Sequence, residues 1–169
     1  MRTILRHLIS ILMLPLVVVV VVPYWLLHVN ATDVNPSTAT WLFRLVGGIA
    51  AIIGLVLFIW CVGLFAKVGR GTLAPWDPTR NLVAIGPYRF VRNPMISGVA
   101  LLLVGQALLW VSWPLGIWAG IFILVNHVYF VLLEEPGLER RFGESYRVYK
   151  ANVPRWVPRV KARSPLLSL

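Results

Sequence analysis

From Met95 to Leu133 the chain runs for 39 residues without a single Asp, Glu, Lys or Arg. As one helix at 1.5 Å per residue this stretch would extend about 58 Å, almost twice the roughly 30 Å hydrocarbon core of a bilayer. It must therefore fold back on itself. Ser112-Trp113-Pro114 supplies the turn, because proline cannot continue the helix before it. Two more apolar stretches precede this hairpin. Leu8 to Leu27 is uncharged, with Val17 to Val22 apolar on every face, and Leu45 to Ala66 lies between Arg44 and Lys67. Between them Asn30, Asp33, Asn35, Pro36 and Ser37 favour a turn and read as a short external loop. Gly47, Gly48, Gly54 and Gly63 in the second stretch let another helix approach closely. The fold class is an all-α polytopic membrane protein of about four transmembrane helices. A mean hydropathy of +0.79 and 59% hydrophobic residues exceed what one soluble core of this length needs. Arg2 and Arg6 before the first stretch imitate a secretory signal, but no A-x-A-like site closes it, so it reads as an uncleaved span.

The charge distribution orients these spans. Of 16 Lys and Arg, two precede the first span, Arg44 stands alone, five fall between Lys67 and Arg92, and eight between Arg140 and Arg163. By the positive-inside rule the N-terminus, central segment and tail are cytosolic, which requires an even number of spans. Trp25 and Trp41 flank the first external loop, and Trp110, Trp113 and Trp118 the second, as interfacial anchors do. Topology thus accounts for most of the net charge of +10, and nucleic acid is not an expected partner. Cys61 is the only cysteine, and His7, His28 and His127 form no short-spaced ligand pair, so no metal site is expected. Lys67 to Pro94, rich in Gly, Pro and Arg, is too long for an ordinary connection and reads as functional.

Four features carry candidate chemistry. Glu134-Glu135 sits at the cytosolic end of the fourth span, where adjacent carboxylates are costly unless water or cations compensate them. If the helix ended there, its macrodipole would disfavour them further; continuation past Pro136-Gly137 removes that objection. Asn93-Pro94 resembles a helix N-cap followed by proline at the first helical position, and Arg89 and Arg92 beside it suit a carboxylate of protein or ligand. His127 lies seven residues before Glu134, nearly on one helical face, and is best read as a packing residue bonded to Asn126 or Gln106. Glu139 to Lys150 reads as an amphipathic helix that lies on the membrane or covers a cytosolic pocket as a lid, with Gly143 on its path and Pro154 and Pro158 turning the tail back.

Taken in order, Gly86-Pro-Tyr-Arg-Phe-Val-Arg-Asn-Pro-Met95, an apolar hairpin, Glu134-Glu135, Arg141-Phe-Gly-Glu-Ser-Tyr-Arg-Val-Tyr149 and Val153-Pro-Arg-Trp-Val-Pro158 resemble the isoprenylcysteine carboxyl methyltransferase and phospholipid methyltransferase superfamily. The resemblance runs from about Gly71 to the tail. It implies a cytosolic pocket for S-adenosylmethionine, built by the central loop, the ends of the hairpin and the amphipathic tail helix. Carried over residue by residue, it gives Tyr88, Asn93, Pro94 and Glu134 as cofactor-binding positions, with Leu82 and Val83 touching the cofactor through backbone. Ile96 takes the place of the family's usual Tyr in that set, and Phe130 stands where the prenylcysteine enzymes carry a substrate-binding Arg. The resemblance implies a membrane lipid or lipidated molecule as the acceptor. A carboxylate acceptor needs a cationic anchor such as Arg89 or Arg92, whereas an amine must first be neutral, a task for Glu135 or His127. Arg92 and Glu135 are the candidate catalytic residues. A nicotinamide-dependent reductase of the sterol reductase type and a non-catalytic scaffold are the competing readings. The chain reads as one integral membrane domain over residues 1–169, with two spans in 1–66 and the methyltransferase-like region in 67–169. A bacterial inner membrane suits a chain without a eukaryotic retention signal at Ser168-Leu169.

Overall fold

A computed structural model describes residues 15–30, 37–64, 82 and 84–159, and its regular structure is helical throughout, with no strand among the described residues. The start of the first apolar stretch, residues 31–36 of the loop expected outside the membrane, most of the central segment including Val83, and the tail from Val160 lie outside the described residues.

Helix α1 covers Val17–Val29 and opens with a π turn over Val17–Val21. Its sequence explains that turn. Pro23 lacks the N–H that the Val18 carbonyl would use in π spacing and the Val19 carbonyl in α spacing. Both carbonyls instead accept side-chain donors from other helices, Val18 from Trp118 Nε1 at 3.0 Å and Val19 from Gln106 Nε2 at 2.9 Å. Trp118 is therefore a half-buried tie between helices rather than an interfacial anchor. Trp25, Trp41, Trp110 and Trp113 are all more than half exposed.

Helix α2, Thr38–Leu64, begins at a reciprocal cap in which the Thr40 N–H donates to Ser37 Oγ and the Ser37 N–H to Thr40 Oγ1. It packs antiparallel on α3, Pro94–Leu109, through two glycine pairs. A Cβ on Gly54 would lie 2.6 Å from the Gly98 carbonyl oxygen, and one on Gly47 2.6 Å from that of Gly105. Only glycine allows this backbone approach. Among the described residues Gly48 touches a leucine side chain loosely and Gly63 meets nothing, so two of the four glycines singled out in α2 serve the contact.

A turn at Trp110, Val111 and Ser112 joins α3 to α4, Trp113–Phe142, so Trp113-Pro114 already belongs to the following helix. The Ser112 N–H bonds the Ala107 carbonyl and the Val111 N–H that of Leu108, the paired bonds of a Schellman ending. Val111, at φ +50°, takes the position glycine usually fills. Further along, α4 contains a second π turn over Phe130–Glu134, again two residues before a proline, Pro136. The widened turn carries the helix past that proline, so Glu134 is not at a helix end and the macrodipole does not oppose it. Val99, Leu103 and Ala119 are buried where α3 and α4 meet, against Val18 and Val19 of α1 and Phe58 of α2.

Thr38–Leu64 and Trp113–Phe142 are long and apolar enough to cross a membrane, and α1 and α3 are shorter apolar helices. Only 17% and 22% of the apolar windows of the two long helices are buried inside the protein. A helix at the centre of a soluble protein would be covered; these present Leu45, Ile52, Val56, Leu124 and Leu132 outward, as lipid-facing surfaces do. Among the described charged residues, Arg44 stands at one end of α2, over the Trp41 ring, and all the others fall in the 86–93 segment or beyond Leu133.

The amphipathic helix expected over Glu139 to Lys150 is divided. Gly143, at φ +54°, ends α4 and starts α5, Glu144–Asn152. A positive φ is accessible to glycine without the clash any Cβ would bring, and it turns α5 away from the α4 axis. Beyond α5, residues 153–159 return to the segment before α3: the Arg92 N–H donates to the Pro154 carbonyl at 2.9 Å and the Arg159 N–H to that of Phe90 at 3.1 Å.

Candidate active site

The charged end of the molecule is organised around one carboxylate. Glu135 follows the π turn of α4 and is 5% exposed. Its Oε1 accepts from Arg92 Nη1 at 2.8 Å and from Arg155 Nε at 2.8 Å, while Lys150 Nζ lies 3.2 Å from Oε2. Lys150 also reaches Glu139 at 2.7 Å. One buried anion thus ties together the segment before α3, the last turn of α5 and the returning tail. Hydrogen bonds to three cations are what make an ionised carboxylate tolerable at this depth.

The preceding residue is placed differently. Glu134 is half-buried and has no ion pair or hydrogen bond among the described residues, although Glu135 is its neighbour. Its charge is felt by the phenols of Tyr88 and Tyr146. Adjacent positions on a helix point about 100° apart, so one carboxylate of the pair meets the cations and the other does not.

Asn93 occupies the N-cap position of α3 with Pro94 at the first helical position, as the sequence indicates, yet its side chain makes no capping hydrogen bond. Its carbonyl accepts from the N–H and hydroxyl of Ser97 at 3.0 and 2.9 Å. Among the described residues the Asn93 amide has no hydrogen-bond partner. Pro94 is fully buried and Ile96 half-buried on the first turn of α3.

Tyr88 lies in the short 3-10 helix Gly86–Arg89, which starts at Gly86 with φ +57°. Its ring is buried against Cys61, Leu57, Leu64 and Met95, and burial raises its phenol far above the usual range. The Tyr88 carbonyl accepts from Tyr149 Oη at 2.8 Å, and burial also raises the Tyr149 phenol, which stays protonated as that bond requires. Burial acts in the same direction on Tyr146, before the nearby Glu135 charge. Leu82 packs against the cluster of Ala84, Tyr146, Tyr149 and Val153, beneath α5.

The sequence reading of His127 is corrected in its partner. Trp156 Nε1 of the tail donates to His127 Nδ1 at 3.1 Å, whereas Asn126 bonds the Phe122 carbonyl and Gln106 the Val19 carbonyl. Trp156 also packs against Phe130, ring centroids 6.2 Å apart, so the tail covers that residue. The intervening π turn shifts the register between His127 and Glu134 from that of a regular α-helix. Tyr149 and Lys150, expected on the faces of an amphipathic helix, instead bond the Tyr88 carbonyl and Glu135, and Arg155 and Trp156 of the last tail motif meet Glu135 and His127, partners too distant in sequence to be read from it.

The phospholipid methyltransferase family profile matches residues 42–145, more than half of the chain. This chain belongs to the phospholipid methyltransferase family. The match takes in α2, the 86–93 segment, the α3–α4 hairpin and both glutamates, and ends before Tyr146. It starts upstream of Gly71, because the glycine-paired α2 is part of the matched unit, and it leaves the Val153 to Pro158 motif outside. Searches of curated proteins and of solved structures found no match. Family membership supports methyltransferase activity at a membrane over a reductase or a scaffold.

Proposed function

We propose that this protein transfers a methyl group from S-adenosylmethionine to a membrane lipid at the cytosolic face, as a single integral unit of four spans with both termini in the cytosol. The observation that carries the reading is the contrast between the two adjacent glutamates: Glu135 is matched by three cations, and Glu134 by none among the described residues. A half-buried, unmatched carboxylate suits a cationic ligand. When bound, the cofactor supplies an electrophilic methyl on a sulfonium cation. Glu134 offers the countercharge, and the uncapped Asn93 amide offers donors and an acceptor beside it. Tyr88, Leu82, Pro94 and Ile96 contribute backbone and apolar walls, and Val83, outside the described residues, joins them on the resemblance alone.

Arg92 and Glu135 belong to this site as one pair, 2.8 Å apart. Their role is to hold the tail over the α3 start and to fix where Asn93 and Glu134 stand, which is the positioning that in-line transfer depends on. A site at the cytosolic ends of α3 and α4 receives a polar cofactor from water and a lipid from the bilayer.

The test is calorimetric titration of S-adenosylmethionine into the folded protein in nanodiscs, with reduced nicotinamide cofactor as the comparison. Saturable binding of the first, weakened roughly a hundredfold in Glu134→Gln, supports the reading. Folded protein that binds neither, or only the nicotinamide, overturns it.

A further inference from the structure

A recess of about 210 Å³ lies where α2, the 3-10 helix and the tail meet. Leu57 and Trp60 of α2 form one wall, Phe90 and Val91 another, and the rings of Pro87, Pro94 and Pro158 complete it. No polar surface lines it, so it cannot be the cofactor site: a zwitterionic, nucleoside-bearing ligand would lose its hydration there without compensation.

Its depth identifies what can fill it. Helix α2 spans roughly 40 Å, so a bilayer core of about 30 Å centred on it leaves about 5 Å at each end. On that placement Leu57, about 10 Å from the Leu64 end, falls within the hydrocarbon and Trp60 near its boundary. Trp60 is 54% exposed and continues the outward face of Ile53, Val56 and Ile59, so the recess opens onto the lipid-facing surface of α2. At its inner end Pro94 follows Asn93 directly.

We propose that the recess receives an acyl chain of the phospholipid whose headgroup is methylated, an inference that rests on the methyltransferase reading above. The chain enters sideways from the cytosolic leaflet past Trp60, and its headgroup then lies beside Asn93. Pro158 completes the wall only while the tail is docked, through the Arg159 to Phe90 backbone bond and the Arg155–Glu135 ion pair. Acceptor binding and the buried Glu135 cluster are thereby coupled.

The test uses a phosphatidylethanolamine with a diazirine on one acyl chain, in nanodiscs, with peptide mapping of the cross-links. The inference expects labelling of Phe90 and Val91, which line the recess, in addition to the outward-facing Ile53 and Ile59. Leu57→Trp, which fills the recess, should lose the Phe90 and Val91 labels and keep the others. Should that variant fail to fold, Trp60→Ala, which removes an exposed wall, should weaken labelling at Val91. Labels confined to the outward face, labels at Val91 indifferent to either substitution, or preferential labelling of Phe90 and Val91 by a diazirine-bearing prenyl chain overturn the inference. A parallel S-adenosylmethionine titration separates the two claims. Cofactor binding without recess labelling sinks the recess alone, and recess labelling without cofactor binding removes the acceptor role together with the methyltransferase reading.

Discussion

Replacing Glu135 with Gln keeps the shape of the side chain and removes the charge that three cations share. The carboxylate is 7% exposed, against 12% for Arg92, 21% for Arg155 and 38% for Lys150. Lys150 is the most hydrated of the three and retains Glu139 at 2.7 Å, so its loss is small. Arg92 is the member left buried and uncompensated. Breaking a buried pair in this way costs about 3–5 kcal/mol, and Gln Oε1 can still accept from Arg92, which places the effect near 3 kcal/mol. Because the ion pairs join the tail to the α3 start, the cost falls on tail docking rather than on the α2–α3–α4 bundle. At about 1.4 kcal/mol per decade, the undocked population rises roughly a hundredfold. Limited trypsin digestion in detergent reads this directly, as cleavage after Lys150 and Arg155, whose rate follows the open population when reclosing is fast. Glu144→Gln is the control: its pair with Arg147 is 3.5 Å long and exposed on both sides, so cleavage should not change. If Glu135→Gln were cleaved at the wild-type rate, the view of Glu135 as the anchor of the tail would be wrong.

Three further outcomes are expected. Glu134→Gln should leave thermal unfolding in detergent near wild type but weaken S-adenosylmethionine binding roughly a hundredfold, from about 3 kcal/mol of attraction at about 5 Å and an effective dielectric near 20; equal affinity would detach Glu134 from the cofactor. Gly54→Ala should destabilise by about 1–3 kcal/mol of overpacking, read as a lower melting temperature, since its Cβ meets α3 backbone at 2.6 Å, while Gly63→Ala, with nothing within 4 Å among the described residues, should not destabilise. The Glu139 hydrogen bond raises Lys150 above its usual 10.5, so its contribution to tail docking is complete below that pH and is lost as pH rises through the raised value. Trypsin-independent proteolysis of the tail should therefore be flat near neutrality and increase above pH 10.5, and Lys150→Gln should remove that inflection.

Part of the geometry around the candidate site was legible in the sequence. The fold-back of Met95 to Leu133 follows from bilayer thickness alone, and the two glutamates stand out because carboxylates are scarce in so apolar a chain. The N-cap geometry of Asn93-Pro94 was also readable, although the amide does not cap. What could not be read depended on long-range partners. His127 pairs with Trp156, 29 residues away, rather than with its neighbour Asn126, and Trp118 is drawn inward because Pro23 frees a carbonyl on α1. The single amphipathic helix of the tail became two because Gly143 takes a positive φ, a choice the periodicity of the flanking residues does not encode.

Glu134 and Glu135 mark the division. Composition and charge order by themselves determined that this end of the chain is basic, that it borders a membrane, and that two adjacent carboxylates stand there. Which of them is matched was decided only by tertiary structure. The π turn before Pro136 sets the direction in which each side chain leaves the helix, and the cations that meet Glu135 come from the α3 start, from α5 and from the returning tail. Neighbours in sequence share composition but not direction, and a buried charge is defined by what lies in front of it.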